Sequence, residues 1–129
     1  MARRMAMASD HRGVALKRML RERLAQAGFE VMDFGTEGEA AVDYPDVAGP
    51  AAEAVSRGDA ERGIVICGSG LGVSYTANRF PRVRAALATD PQMAEMARRH
   101  NDANVLALGA DRLDPEAAWK IVETWLATP

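Results

Sequence analysis

The chain has a single cysteine, Cys67, among its 129 residues, and aromatic residues make up only 5% of it. One thiol excludes a disulfide framework, a dithiol redox pair and the usual cysteine-rich zinc sites, and it fits a reducing cytoplasm. No apolar run approaches the roughly 20 residues that a membrane-spanning helix needs. Positive charge is not in excess, since the formal net charge is −2. The composition therefore argues against nucleic-acid and membrane-surface partners.

Short apolar segments alternate along the chain with segments of helical periodicity, which predicts one domain over residues 1–129. The predicted strands are 5–9, 31–34, 62–67, 83–87 and 104–108, and the predicted helices are 14–25, 46–56, 71–80, 92–100 and 115–126. Such alternation is typical of right-handed βαβ crossovers, which build a parallel sheet covered by helices on both faces. We therefore expect an α/β fold, a Rossmann-like three-layer α/β/α sandwich with a five-stranded parallel sheet in the order 2-1-3-4-5.

The segment from Ile64 to Ser74 carries the clearest indication of function. A run rich in β-branched residues predicts a buried strand, which delivers Cys67 into a loop with alternate glycines before a helical pattern begins. Alternate glycines let successive backbone N–H groups converge on one point, and a helix N-terminus adds about half a positive charge. The loop therefore predicts an anion-binding site, and the same field would favour a thiolate at Cys67.

This loop differs from three better-known motifs. Val73 stands where the dinucleotide-binding fingerprint needs its third glycine, and also where a cysteine-dependent phosphatase would need an arginine. A Walker loop is excluded because no lysine follows the glycines. One alternative stays open from the loop alone: Cys67 could be a small buried residue ending a strand, with the glycines serving only the turn.

The predicted topology brings two polar groups to one edge of the sheet. The ligand site of such a sheet lies beyond the carboxyl ends of strands one and three, which end at Ser9-Asp10-His11 and Cys67-Gly68-Ser69. We expect Asp10 and His11 to contact a ligand there. In the alternative interpretation, Asp10 is a helix N-cap beside a solvent-facing histidine.

Three other polar residues leave two interpretations open. His100 stands at the end of a predicted helix, where it could be a favourable cation, and Asn101 also suits a helix end. Tyr44 could belong to the core with its hydroxyl satisfied, or it could donate a hydrogen bond to a ligand. The sequence pattern alone does not decide between these structural interpretations and a place in the site.

Several short motifs, in their order and spacing, resemble the ribose-5-phosphate isomerase B family, which also contains galactose-6-phosphate isomerase subunits. The resemblance extends from Met5 to about Thr128. It rests on Ser9-Asp10-His11-x-Gly13, Asp33-Phe34-Gly35, Val42-Asp43-Tyr44-Pro45, Cys67-Gly68-Ser69-Gly70-Leu71-Gly72, Ala77-Asn78, Arg84-Ala85-Ala86-Leu87 and His100-Asn101-Asp102-Ala103-Asn104-Val105.

The resemblance implies a cytoplasmic enzyme that interconverts aldose and ketose phosphates through a cis-enediolate, without a metal or cofactor. It also implies a homodimer, or a dimer of dimers, whose subunits share each active site. By position, Cys67 would move the proton between C1 and C2, and Ser69 would transfer the hydroxyl proton. His100, reaching in from the partner subunit, would open the sugar ring as a general acid and base.

The remaining family positions imply contacts with the substrate. The enediolate oxygen would be held, as in an oxyanion hole, by the amides of Gly68, Ser69, Gly70 and Gly72. The sugar hydroxyls would be bound by Asp10, Tyr44 and Asn101, and the phosphate by His11.

Two departures from the family's pattern concern the phosphate. Family members usually carry an arginine soon after the fifth strand, where an ungapped alignment to Pro115 places Asp111, with Arg112 one residue later. The family also has phosphate-binding arginines in a C-terminal tail, and this sequence ends at Pro129 without them. Three explanations stay open: a shortened chain, a phosphate bound by Arg112 and other residues, or a different preferred sugar.

Ribose 5-phosphate is the expected substrate, and a different tetrose, pentose or hexose phosphate is the alternative. A non-catalytic or heteromeric subunit of the same fold would keep these motifs and lose affinity for phosphate. A phosphocysteine carrier, as in sugar phosphotransferase components, also presents a cysteine before a glycine loop. That class places the cysteine after its first strand, whereas Cys67 follows the third predicted strand, so the pattern does not fit it.

Overall fold

The predicted alternation of strands and helices is confirmed in a computed structural model, which describes residues 3–38 and 40–129. The strands are β1 (Arg3–Ser9), β2 (Phe29–Asp33), β3 (Arg62–Cys67), β4 (Ala85–Leu87) and β5 (Val105–Gly109). The helices are α1 (Val14–Gln26), α2 (Tyr44–Ser56), α3 (Leu71–Ala77), α4 (Pro91–Asn101) and α5 (Pro115–Ala127), and a 3-10 turn at His11–Gly13 precedes α1. No predicted boundary is wrong by more than three residues.

All five strands are parallel, but the predicted order of the last two strands is wrong. The sheet has the order β2-β1-β3-β5-β4, so β5 lies between β3 and β4. The apolar strand β5 is buried along its whole length, which suits a central position, whereas the short β4 is only half-buried and suits an edge. The point at which the strand order reverses still falls between β1 and β3, as predicted.

Alternate side chains of the central strands pack into two separate cores. One face of the sheet is covered by α1, α4 and α5, and its core contains large residues such as Leu20, Ile66 and Trp125. The other face is covered by α2 and α3 and is built mainly from alanine and valine, with Cys67 among them. The thiol therefore lies on the α2–α3 side of the sheet. In the described ranges, no helix is both long and apolar enough to cross a bilayer.

A buried lysine fastens the loop after β2 to α1. The side chain of Lys17 is 0% exposed, and its Nζ donates to Asp33 Oδ1 and to the Thr36 carbonyl, both at 2.7 Å. Arg21 donates to the other oxygen of Asp33 at 2.6 Å. Burial acts to raise the pKa of Asp33, but hydrogen bonds from Lys17 and the Gly35 amide, with the nearby positive charges, lower its pKa overall.

We expect Lys17→Met to lower the free energy of unfolding by about 2 kcal/mol at neutral pH, because Asp33 keeps its contact with Arg21 but loses the buried ammonium, and the Thr36 carbonyl loses its donor. The contribution of a carboxylate with a lowered pKa is present above its unfolded value, about pH 4, and is lost as the pH falls through the folded value. The gap between variant and wild type should therefore shrink in acid.

Urea unfolding followed by circular dichroism at pH 7 and at about pH 3.5 measures this gap. Arg18→Met is the matched control, because Arg18 lies on the same helix and its hydrogen bond, to the Glu37 carbonyl, is exposed to solvent; it should change stability by less than about 1 kcal/mol. Equal stability of Lys17→Met and wild type at pH 7 would contradict the assignment of Lys17 as a structural anchor.

Candidate active site

The glycine loop directs a backbone amide at the thiol of Cys67. Cys67 ends β3 and is only 5% exposed, and the Gly70 amide donates to its Sγ at 3.2 Å. Gly70 has φ +82°, and a Cβ there would lie 2.5 Å from Cδ1 of Leu87. Both the turn and the packing against β4 therefore require glycine at this position. The loop therefore holds a backbone donor against the sulfur atom.

Ser69 lies exposed at the tip of the same loop. Its Oγ accepts a hydrogen bond from the Leu71 amide at 3.1 Å, and this bond fixes the oxygen next to the loop backbone. The hydroxyl proton is not used by that bond, so Ser69 can donate to a ligand while it holds this position. The loop thus presents a hydroxyl and the amides of the first turn of α3 to the same space.

The end of β1 adds a carboxylate and an imidazole at this edge of the sheet. Asp10 is buried, and its carboxylate accepts from the Arg12 amide at 3.0 Å, so it caps the 3-10 turn that precedes α1. Its own amide donates to the Ile66 carbonyl at 3.1 Å and ties the end of β1 to β3. His11 Nδ1 accepts from the Val42 amide at 3.3 Å. The neutral ring therefore carries its proton on Nε2, where it can donate to a ligand.

Tyr44 opens α2 and packs on the first turn of α3. A Cβ added at Gly72 would lie 2.7 Å from Cζ of the Tyr44 ring, so the ring lies directly on the glycine backbone. Tyr44 is 39% exposed, and it does not belong to the core. The structure therefore brings Tyr44 to the loop that carries Cys67 and Ser69.

His100 and Asn101 lie near the amino-terminal end of β5, at the opposite end of the parallel strands from Cys67. They end α4, just before β5 begins at Val105, whereas Cys67 pairs with Gly109 at the other end of β5. A parallel strand rises about 3.3 Å per residue, so these two ends of β5 are roughly 13 Å apart. Within one chain, the structure does not bring His100 or Asn101 to Cys67. His100 is exposed, at the end of its helix.

Two arginines flank the glycine loop from opposite sides. Arg112 lines an open cleft of about 440 Å³ on the β4 side, together with Ser69 and Leu71. Arg12 approaches from the β1 side and forms an ion pair with Asp111, with 2.8 Å between Nη2 and Oδ2. Sequence reasoning missed Arg12, although its position two residues after Asp10 placed it at the predicted edge. Among the described residues, no group of histidine, cysteine and acidic side chains could hold a metal ion.

Comparison with known proteins identifies the family. A family model described as Ribose/Galactose Isomerase matches residues 5–129. The chain belongs to this ribose/galactose isomerase family. The resemblance noted from the sequence motifs is therefore confirmed.

Relatives in this family share both the sequence and the fold. Ribose-5-phosphate isomerase B of Escherichia coli (strain K12) is 41% identical over 124 residues, which cover 96% of this chain and 83% of that protein. The structure of Clostridium thermocellum ribose-5-phosphate isomerase B is 50% identical, with a TM-score of 0.95 over 97% of this chain and 84% of its own. The Mycoplasma genitalium ribose-5-phosphate isomerase B structure with bound ribulose-5-phosphate is 38% identical, with a TM-score of 0.94 over 99% of this chain and 86% of its own. These neighbours confirm the Rossmann-like fold.

We expect Gly72→Ala to weaken substrate binding with little loss of stability. The new methyl group would overlap the Tyr44 ring, and a half-exposed side chain can move away at small cost. The Michaelis constant should rise by about tenfold, the effect of losing one well-placed hydrogen bond, while the melting temperature stays within a few degrees of wild type.

Steady-state kinetics and thermal unfolding test this expectation. Gly49→Ala in α2 is the control, because its methyl group would meet only Cζ of Phe80 at an ordinary 3.9 Å. Unchanged kinetics in Gly72→Ala would exclude a role for the position of Tyr44 in binding.

Proposed function

We propose that this sugar-phosphate isomerase interconverts ribose 5-phosphate and ribulose 5-phosphate, with Cys67 as the base. The observation that carries the proposal is the thiol at the end of β3, which accepts a hydrogen bond from the Gly70 amide. It lies where the strand order reverses, the usual place of a ligand site in such a sheet. The printed names of the relatives support the substrate, since they are ribose-5-phosphate isomerases, one of them with bound ribulose-5-phosphate. We also propose a cytoplasmic location and a single domain over the whole chain.

The proposed reaction moves one carbon-bound proton and one hydroxyl proton. The Cys67 thiolate takes the proton from C2 of the open-chain aldose, a double bond forms between C1 and C2, and the charge passes to O1. Ser69 then relays the O2 proton to O1, so that the charge passes to O2. The Cys67 thiol returns its proton to C1, and the C2 carbonyl of the ketose forms. Atoms and charge balance without any co-reactant.

The loop amides would stabilise the negative charge that develops on O1 and O2. Convergent N–H groups near a reacting oxygen act as an oxyanion hole, and such groups lower the barrier because they need no reorganisation. In this proposal the amides of Gly68, Ser69 and Gly72 fill that role, whereas the Gly70 amide, which was also expected there, donates to the Cys67 sulfur instead. Asp10 and Tyr44 bind sugar hydroxyls, and His11 binds the phosphate.

We further propose that each site is completed by a second copy of the chain. His100 of one subunit opens the sugar ring in the site of the other, and Asn101 binds a hydroxyl there. Their own Cys67 is out of reach, because it lies at the opposite end of the strands. The helices α3 and α4 flank the edge strand β4, and they expose four large apolar side chains: Leu71, Tyr75, Met93 and Met96. Tyr75 is 64% exposed. An apolar surface of this kind favours a homodimer, or a dimer of dimers, at this edge.

The direct test is conversion of ribose 5-phosphate by the purified protein in D2O, followed by proton NMR. The expected result is ribulose 5-phosphate with deuterium at C1, because a proton held on the thiol between two steps exchanges with solvent. A panel of tetrose, pentose and hexose phosphates run in parallel identifies the preferred sugar. Absence of turnover with every member of the panel would refute the proposed activity.

A further inference from the structure

An ion pair between the ends of β1 and β5 crosses directly above the end of β3. Arg12 follows β1 and Asp111 follows β5, and β3 lies between those two strands. Arg12 Nη2 is 2.8 Å from Asp111 Oδ2, and Arg12 Nε donates to Oδ1 at 3.3 Å. Both oxygens of the carboxylate therefore face the guanidinium.

The pair rests on the backbone of the glycine loop. A Cβ added at Gly68 would lie 2.8 Å from Asp111 Oδ2 and 3.1 Å from Arg12 Nε. The amide of Asp111 also donates to the Gly68 carbonyl at 3.0 Å. Asp111 is thus fixed to the loop by its backbone, and its carboxylate holds the guanidinium of Arg12 at one place above that loop.

The Arg12 guanidinium keeps binding capacity that Asp111 does not use. Its side chain is 58% exposed, and Nη1 has no hydrogen-bond partner in the part of the chain that the structure describes. The neighbouring His11 has its Nδ1 engaged by the Val42 amide, which leaves Nε2 as a donor. A planar guanidinium held against the backbone of the glycine loop is a suitable arrangement for a phosphate group.

We propose that Arg12 binds the phosphate of the substrate and that Asp111 positions it. The inference rests on the proposed function for the identity of the anion as a sugar phosphate. Arg112 does not share this place, because it lines the cleft on the β4 side of the loop, with Leu87 and Thr89. Arg12 is the arginine on the side of His11.

Titration of the ¹⁵N-labelled protein with inorganic phosphate, at constant ionic strength, tests the inference without any turnover. We expect shifts of the Gly68 amide, and a dissociation constant that rises roughly tenfold or more in Arg12→Ala, the usual effect of removing a charge-assisted hydrogen bond. Arg57→Ala is the control, because Arg57 is also an exposed arginine with a carboxylate partner, Glu53, but lies just after α2. Equal phosphate affinity of Arg12→Ala and wild type, or a larger loss in Arg112→Ala, would overturn the proposal.

Moving the guanidinium to the other side of the pair is a second test. Arg12→Ala combined with Asp111→Arg keeps one guanidinium above Gly68, now carried by the end of β5, and should recover most of the phosphate affinity lost in Arg12→Ala. In kinetics with ribose 5-phosphate, Arg12→Ala should raise the Michaelis constant about tenfold and change kcat much less. If the wild type binds phosphate through Arg12 but does not turn over the sugar phosphates, the proposed reaction fails and this inference stands.

Discussion

Cys67→Ala is expected to lower kcat for ribose 5-phosphate by about 10³-fold, because in the proposed reaction the thiol carries the proton between C1 and C2. The thiol is buried at the end of β3 and holds a hydrogen bond from the Gly70 amide. Alanine has no acceptor or donor for the proton, and no other side chain of the loop lies at that position. The exchange of the C2 proton with D2O should be lost together with the net isomerisation.

The stability of this variant should change little, because alanine differs from cysteine only by one sulfur atom at the edge of a core of alanine and valine. Ser74→Ala is a suitable control, since Ser74 is buried nearby in α3 and its hydroxyl donates to the Leu71 carbonyl at 2.7 Å. It should keep most of the activity. Exchange of the C2 proton at the wild-type rate in Cys67→Ala would return Cys67 to its alternative interpretation, a small buried residue that ends a strand.

The position of the candidate site could be proposed from the sequence because it depends on local patterns. The apolar run from Ile64 to Cys67 predicts a strand, the alternate glycines predict the loop, and Asp10 follows another apolar run. In a parallel sheet, both strand ends must lie at the same edge, and the site falls where the order changes direction. These steps need the alternation of elements and no knowledge of which distant residues touch.

The order of the last two strands could not be obtained in that way. Alternation of strands and helices is the same for the orders 2-1-3-4-5 and 2-1-3-5-4, so it does not choose between them. The burial that places β5 in the centre is set by both of its neighbours, β3 and β4, and each pairing is a long-range contact. The apolar composition of Val105–Gly109 was the one local indication of a central strand.

Contacts between distant segments were equally beyond the sequence. Arg12 and Asp111 are 99 residues apart, and neither position shows a local pattern that points to the other. His100 differs in this respect. It precedes the predicted strand 104–108, whereas Cys67 ends the predicted strand 62–67, so a parallel sheet already implies that the two residues lie at opposite ends of the strands.

Mixing two inactive variants, Cys67→Ala and His100→Asn, is expected to restore about a quarter of the wild-type activity if each site is shared between two subunits. Random mixing makes half of the dimers mixed. In a mixed dimer one site combines both lesions, and the other site combines the intact Cys67 of one subunit with the intact His100 of the other. Each variant alone should be impaired by about 10²-fold or more, because it lacks a proton-transfer group in every site.

Co-expression with two different affinity tags, followed by sequential purification, isolates the mixed dimers and gives the activity of a single intact site. The pair Cys67→Ala and Ser69→Ala is the control, because both residues lie on the same loop and every site of that mixed dimer keeps one lesion. It should show no recovery. The same lack of recovery in the His100 mixture would mean that His100 does not serve the site of a partner. It would then take no part in the reaction, because the length of β5, roughly 13 Å, separates its end of the strands from that of Cys67.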